Sequence, residues 1–212
     1  MEDMRVEERH LRSDAERNRK RLLEAAGTLF RERGLDVSVA EIAQAAGVGR
    51  GTFFRNFASK EDLIEAIVAE RMYEAAAHGE ELLEAEDPVE ALFGFLSEML
   101  GSQQLDRALF EGLDETWLSK EVIRPAHAAV FDVLGRLLGR AQEAGSVRAD
   151  VGAMDLLMLF KGACMAAATY ANGEFAIVDR NVDLIRASVA VVPGAAPLRG
   201  RAPTLEDLGL GE

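Results

Sequence analysis

Apolar residues recur three and four positions apart along most of this chain, with polar residues between them. That spacing is typical of α-helices that bury one face and expose the other. Several of these stretches are followed by glycine or preceded by serine, aspartate or proline, the residues that end and begin helices. The chain shows no convincing strand alternation, no repeat and no glycine-rich phosphate loop. The pattern therefore predicts an all-α protein.

The N-terminal part predicts one helix behind a polar leader. Residues 1–12 are polar and are expected to be flexible. Ser13 and Glu16 form a capping-box pattern, in which each side chain bonds the other residue's backbone N–H, and we expect the first helix to begin there. Gly34 ends this helix. Its apolar stripe contains Leu22, Leu23, Ala26, Leu29 and Phe30.

Residues 38–57 predict two short helices joined by a tight turn. Ser38 with Glu41 is a second capping box and marks the start of the first of them. Gly47 ends that helix, because glycine takes the left-handed conformation at little cost. The next helix, 50–57, alternates aromatic residues with Arg, Thr and Asn. This pattern is typical of a helix-turn-helix, whose second helix enters the DNA major groove.

Helical patterns fill most of the remaining chain. We predict six further helices over residues 60–77, 88–100, 104–113, 120–143, 150–171 and 179–191. The tail holds three of the five prolines and is expected to be flexible. The predicted organisation is a flexible N-terminus 1–12, a helix-turn-helix domain 13–60, a ligand-binding and dimerisation domain 61–192, and a flexible tail 193–212.

The net charge of −13 is unevenly distributed. Residues 1–60 hold 12 Lys or Arg and 10 Asp or Glu, whereas residues 61–212 hold 12 and 27. A local basic surface is enough to bind phosphates, and an acidic body limits non-specific adhesion to DNA. Acidic helices also keep a protein in solution, and both explanations can hold together.

Composition excludes several classes of protein. The single cysteine, Cys164, rules out an intramolecular disulfide framework, and no Cys/His cluster indicates structural zinc. No apolar run is long enough to span a bilayer, and the charged N-terminus lacks the apolar centre of a signal peptide. We therefore expect a soluble cytoplasmic protein. Because no nucleophile–base pair or metal-ligand spacing is evident, we also expect that it is not an enzyme and needs no metal or cofactor.

The first 75 or so residues resemble the DNA-binding domain of TetR-type transcriptional regulators. The resemblance is carried by Ala25-Ala26, Leu29-Phe30, Gly34, Val39, Ile42-Ala43, Ala46-Gly47-Val48, Gly51-Thr52-Phe53-Phe54, Phe57 and Ser59-Lys60-Glu61-Asp62-Leu63. A weaker resemblance covers residues 137–157. The family implies a homodimer, more often a repressor, whose helical C-terminal domain dimerises and often binds a small effector. Three residues depart from the usual pattern: Gly49 replaces a serine cap, Phe54 a tyrosine and Asn56 a histidine.

The candidate DNA-binding residues are Ser38, Arg50, Gly51, Thr52, Phe54, Arg55, Asn56 and Lys60. Each arginine can bind guanine through its fork or contact phosphate without reading sequence. Phe54 has no hydroxyl to donate to phosphate and is assigned to packing or to apolar contact with a base or sugar. Ser38 also serves as a helix cap. The basic residues of the first helix either add phosphate contacts or form a solvated face: Arg12, Arg17, Arg19, Lys20 and Arg21.

The candidate effector-binding residues are Phe93, Met99, Phe110, Trp117, His127, Phe131, Met158, Lys161 and Met165. Aromatic and methionine side chains at helical spacing more often fill a core. Lys161 lies in an apolar stretch, where a buried amine needs a carboxylate or an anionic ligand, unless its side chain reaches the surface. A histidine in the position of His127 more often lies exposed or has its hydrogen bonds made within the protein than contacts a ligand.

Small residues on the penultimate helix predict a dimer interface. They are Gly162, Ala163, Ala166, Ala167 and Ala168, joined by Val182, Ile185, Val189 and Val192 of the last helix. Without a partner these helices would expose a large apolar face. We therefore expect a homodimer through the last two helices. The family resemblance further implies a repressor that a small apolar or amphipathic effector releases from a palindromic double-stranded operator. The alternatives are a ligand-independent or partner-regulated DNA-binding protein and an activator of the same fold.

Overall fold

The computed structural model of the protein describes residues 2–101, 120–170, 176–204 and 206–208. These residues contain eight α-helices and one short 3-10 turn, Glu206–Leu208. The helices are α1 (Glu2–Arg33), α2 (Val39–Ala45), α3 (Arg50–Asn56), α4 (Lys60–Leu82), α5 (Pro88–Gly101), α6 (Ile123–Glu143), α7 (Ala153–Tyr170) and α8 (Ala176–Val189). Within the described ranges, the nearest approach to a strand is an isolated bridge between Val147 and Ala190. The predicted all-α fold is confirmed, and the helix expected over 104–113 lies outside the described residues.

The first helix begins earlier than predicted. α1 starts at Glu2, so Ser13 lies inside it and the expected capping box there does not open the helix. Residues 2–12 contain mainly Glu, Arg, Met and Leu, which favour helix, and they contain no glycine or proline that would break it. A capping pattern in the sequence is therefore insufficient when the residues before it also favour helix.

Helix α4 also continues past its predicted end. It runs through Gly79 to Leu82, although His78-Gly79 was expected to follow its last turn. A Cβ added at Gly79 would lie 2.9 Å from both methyl carbons of Val133 and 3.0 Å from the ring of Phe95. The glycine therefore allows α4 to pack closely against α5 and α6, and it does not end the helix.

Two hydrophobic cores hold the helices together. The head core joins α1, α2, α3 and the first half of α4 through Leu22, Ala26, Phe30, Val37, Ile42, Ala43, Ala46, Phe53, Phe57, Leu63, Ile64, Ile67 and Val68. The body core joins the second half of α4 to α5, α6, α7 and α8. Met72 packs against both cores, and Ile123, the first residue of α6, is fully buried in the head core. The head is thus attached to the body through α4 and through the start of α6.

The described part of the tail contacts the body. Asp150 or Val151 was expected to begin α7, but the helix begins at Ala153. The Asp150 carboxylate instead binds Arg148 through two contacts of 2.7 Å. It also accepts a hydrogen bond of 2.7 Å from the backbone N–H of Leu198. The Arg148 guanidinium, and after it the Leu198 N–H, hold the pKa of Asp150 well below its usual range. These contacts hold the tail against the loop between α6 and α7.

The capping box predicted at the start of α2 is confirmed. The Glu41 N–H donates to the Ser38 hydroxyl at 3.3 Å, and the Ser38 N–H donates to the Glu41 carboxylate at 2.9 Å. Arg33, at the end of α1, donates to the same carboxylate at 2.6 Å. The Ser38 bonds, together with Arg33, lower the pKa of Glu41 from 4.5 to about 2. The charged carboxylate therefore links the ends of two helices in the head.

We expect Gly79→Ala to destabilise the protein by about 1–3 kcal/mol, because the new methyl group would overlap the stiff side chain of Val133. Alanine is otherwise the better helix former by about 1 kcal/mol. Gly139→Ala in α6 is the control, since no described atom lies within 4 Å of a Cβ at that position. Urea unfolding should show a loss for the first variant and no loss for the second. Equal stability of the two variants would contradict close packing at Gly79.

We expect Glu41→Gln to lower thermal stability at neutral pH and to lose this effect in acid. Because folding lowers the pKa of Glu41 from 4.5 to about 2, its contribution is complete above about pH 4.5 and disappears as the pH falls through about 2. Melting temperatures of both proteins between pH 7 and pH 2 should therefore converge below pH 4.5. Glu32→Gln, on an exposed site of α1 outside the capping box, is the control that removes the same charge without the capping contacts. A constant difference for Glu41→Gln would exclude this linkage.

Candidate nucleic-acid interface

A four-residue turn sets the angle between α2 and α3. Gly47 has a φ of 64°, in the left-handed region. The N–H of Gly47 donates to Gln44 O at 3.0 Å, and the N–H of Val48 donates to Ala43 O at 2.9 Å. These two bonds form the Schellman arrangement that ends a helix at glycine. The predicted helix-turn-helix is therefore present, with its turn closed by backbone hydrogen bonds.

Aromatic side chains hold α3 against the rest of the head. Phe53 is fully buried, and its ring centroid lies 5.3 Å from that of Phe54 and 6.0 Å from that of Phe57. Phe57 is also buried, whereas Phe54 is 49% exposed. Phe54 thus combines edge contact with the core and an exposed face. Its contact with a base or sugar stays a prediction.

The predicted polar residues of α3 lie between its aromatic residues along the helix. The Arg55 side chain donates from Nε to Gly51 O at 3.2 Å and from Nη2 to the Thr52 hydroxyl at 3.0 Å. Asn56 Nδ2 donates to Thr52 O at 2.8 Å. Arg50 is exposed and makes no hydrogen bond or ion pair with the residues that the structure describes. The helix therefore presents one free arginine and one arginine that is held on its own helix.

The ends of the neighbouring helices hold the other two candidates. The Ser38 hydroxyl donates to the Glu41 carboxylate at 2.7 Å, so its capping role is confirmed and the hydroxyl is already engaged. Lys60, the first residue of α4, donates from Nζ to Leu35 O. Gly49 leaves α3 without a side-chain cap, as its departure from the family pattern suggested. DNA contact by Ser38 and Lys60 stays a prediction.

Most of the candidate effector residues that the structure describes lie outside the cleft found in the body. The body contains an open cleft of about 610 Å³. It is lined by Glu86, Asp87, Pro88, Val89, Phe93, Ala144, Ser146, Val147, Arg186 and Ala190. Of the predicted residues whose side chains the structure describes, Phe93 alone lines this cleft. Met99 and Phe131 are half-buried elsewhere, Met158 is exposed, and Phe110, Trp117 and the side chain of Met165 lie outside what the structure describes.

Lys161 and His127 lie near each other between α6 and α7. Lys161 is exposed, which agrees with the alternative that its amine reaches the surface. His127 is half-buried, and burial, followed by the charge of Lys161, lowers the pKa of its imidazole. At neutral pH the histidine is therefore the neutral partner of this pair.

The apolar residues of α8 require a correction. Val182, Ile185 and Val189 were expected to face a second subunit, but all three are buried in the core of the single chain. Their helical spacing was recognised correctly, but α5 and α7 cover them. Among the side chains that the structure describes, the large exposed apolar ones near the last two helices are Met158, Leu159, Leu184, Val191 and Val192.

The described residues contain no group of three His, Cys, Asp or Glu side chains placed to hold a metal ion. Among the described helices, none has the length and apolar character needed to cross a membrane.

Two family models match most of the chain. Residues 22–67 match the model for bacterial regulatory proteins of the tetR family. Residues 87–188 match the C-terminal domain of SbtR-like transcriptional regulators. The first match contains the helix-turn-helix and the second most of the described body. Regulators of these families are generally not enzymes.

Comparison with known proteins gives the same result. The crystal structure of a TetR transcription regulatory protein from Mycobacterium vanbaalenii is 37% identical, with a TM-score of 0.62, and the match covers 85% of this chain and 99% of that one. Thermus thermophilus FadR, a TetR-family transcriptional repressor solved in complex with lauroyl-CoA, is 27% identical over 84% of this chain and 98% of its own, with a TM-score of 0.57. The regulator UidR of Escherichia coli K12 is 25% identical over 148 residues, 67% of this chain and 75% of the relative. The chain therefore belongs to the TetR family of DNA-binding transcriptional regulators.

Proposed function

We propose that this protein is a homodimeric repressor that binds a palindromic operator through α3 and is released by a small effector bound in the body. The observation that carries the proposal is that Arg50 and Arg55 of α3 are exposed and Thr52 is half-buried, whereas Phe53 of the same helix is fully buried. A helix held by its apolar side and polar on the other can lie in a major groove while the head remains intact.

The two arginines are proposed to have different parts in recognition. Arg50, at the first position of α3, is free to meet a base edge or a phosphate. Arg55 must exchange its bonds to Gly51 and Thr52 for bonds to DNA. A guanine offers two acceptors to an arginine fork, which compensates for that exchange better than a single phosphate oxygen does.

Dimerisation is supported by apolar surface near α7 and α8. Leu184, Val191 and Val192 are each about half exposed in the single chain. Met158 and Leu159 add further apolar area on α7. Burying these residues against a second copy would remove them from water and place two heads on one two-fold axis. Two α3 helices should then meet half-sites about 34–36 Å apart.

The link between body and head gives the effector a route to the DNA. Ile123 inserts the start of α6 into the head core, and Lys120 forms an ion pair with Glu65 of α4. Helix α4 itself contributes to both cores. An effector that favours another packing of α6 against α4 would change the spacing of the two heads and weaken operator binding.

The existence of an effector is supported by the Thermus thermophilus relative, which was solved with lauroyl-CoA. The alternative is a ligand-independent or partner-regulated DNA-binding protein, or an activator with the same heads. The cleft in the described part of the body is open, and Phe93 is the one described candidate residue that lines it. This observation favours the ligand-independent alternative.

We expect Arg50→Ala and Arg55→Ala each to weaken binding to DNA from the protein's own upstream region. A bidentate contact to guanine contributes about 1–3 kcal/mol, so the expected loss is about 5- to 150-fold in Kd. Arg71→Ala on α4, which removes a charge paired with Glu74, is the control and should change Kd little. Gel-shift titrations at fixed salt measure the three variants. Unchanged binding by both α3 variants would show that α3 does not read this DNA.

We expect at least one compound from a panel of acyl-CoA esters and small aromatic acids to lower operator affinity. The compound should also raise the melting temperature of the DNA-free protein, because it binds the folded state. Parallel gel-shift and thermal-shift measurements separate true effectors from compounds that bind DNA. Unchanged affinity across the whole panel would favour the ligand-independent alternative.

A further inference from the structure

Two arginines of α1 contact the helix-turn-helix from outside it. The guanidinium carbon of Arg19 lies 4.4 Å from the centroid of the Phe57 ring. Its Nη1 donates a long hydrogen bond of 3.5 Å to the backbone oxygen of Asn56, the last residue of α3. A cation above an aromatic ring and beside a C-terminal helix carbonyl is attracted by both. Arg19 therefore holds the C-terminal end of α3.

Arg21 makes the corresponding contact on the N-terminal side of α3. Its Nη2 donates a hydrogen bond of 3.5 Å to the backbone oxygen of Gly47, in the turn that leads into α3. A Cβ at Gly47 would lie 2.5 Å from that same nitrogen. The turn therefore has its positive φ and its close contact with Arg21 at the same residue.

The two arginines lie on either side of one face of α1. Leu22 is fully buried in the head core, and Asn18, one turn before it on the same side of α1, is half-buried. At 3.6 residues per turn, Arg19 and Arg21 lie roughly 80° to either side of that direction. The spacing along α1 therefore directs one arginine toward the end of α3 and the other toward the turn before it.

We propose that Arg19 and Arg21 are positioning residues for DNA binding that brace α3. Arg19 holds the C-terminal end of α3, Arg21 holds the turn before it, and together they fix the angle at which α3 enters the groove. The inference rests on the proposed role of α3 as the helix that reads DNA. It differs from the simpler role of α1 arginines as phosphate contacts, because the brace depends on the planar guanidinium and the Phe57 ring as well as on charge.

Lysine substitution separates the two roles. Arg19→Lys keeps the charge but loses the planar group that stacks on Phe57. If Arg19 braces α3, this variant should bind the upstream DNA about two- to fivefold more weakly, with an unchanged salt slope. If Arg19 only contacts phosphate, Arg19→Lys should bind like the natural protein, and Arg19→Gln should reduce the salt slope by about one.

Lys20→Gln is the matched control, because Lys20 is on the same helix, is exposed and pairs only with Glu24 among the described residues. It removes one charge without removing a brace and should leave the α3 contacts intact. Phe57→Leu provides a double-mutant test. After Phe57→Leu, adding Arg19→Lys should cause less further loss than it does alone, since the ring is already gone.

Amide hydrogen exchange of the DNA-free protein gives a readout independent of the operator. Arg19→Lys should speed exchange in residues 50–57, and Arg21→Lys should speed it in residues 46–50, whereas Lys20→Gln should change neither. Faster exchange without any effect of Arg50→Ala on DNA binding would keep the brace and reject α3 as the reading helix. Unchanged exchange together with normal DNA binding by Arg19→Lys would overturn the brace.

Discussion

Helix α4 contributes side chains to both hydrophobic cores, so the position of the head depends on how this helix packs against the body. Its first half places Leu63 and Ile67 in the head core. Its second half packs so closely against α6 at Gly79 that no side chain would fit there. Close packing of this kind resists small, continuous adjustment. A rearrangement of the body would therefore move α4 as a rigid element and carry the head with it. The start of α6, through Ile123, adds a second attachment that must move in step.

Exposed ion pairs within the body contribute less to its stability than its hydrophobic core does. The pairs Arg136–Glu80 and Arg186–Glu90 join neighbouring helices of the body, but all four side chains are largely exposed. Exposed pairs of this kind contribute little to stability and are screened by salt. The excess of acidic residues beyond residue 60 has a separate effect, because it gives the body a net negative charge that DNA repels.

The features that could be predicted from sequence are those whose cause is local. The capping box at Ser38 and the turn at Gly47 depend on residues within a few positions, and both were recognised. Gly79 was wrongly predicted to follow the end of α4. The need for glycine at this position comes from contact with Val133, more than fifty residues away in the sequence. The same limit applies to Val182 and Ile185. Periodicity shows that a helix face is buried, but it does not say whether the cover is the same chain or a second copy.

The hydrogen bonds that hold Arg55 on α3 bear on selectivity as well as on affinity. In the proposed complex, the side chain gives up its bonds to Gly51 and Thr52 whenever it turns toward DNA. A guanine replaces both bonds, whereas a base with no matching acceptors replaces neither, so engagement at a wrong site carries a penalty that an unbonded arginine would not have. On unrelated DNA, Arg55 can keep its hydrogen bonds within α3, and the phosphate contacts alone then provide the non-specific binding. In the proposed complex, the internal bonds of Arg55 would thus increase the difference in affinity between the operator and other DNA more than they increase the affinity itself.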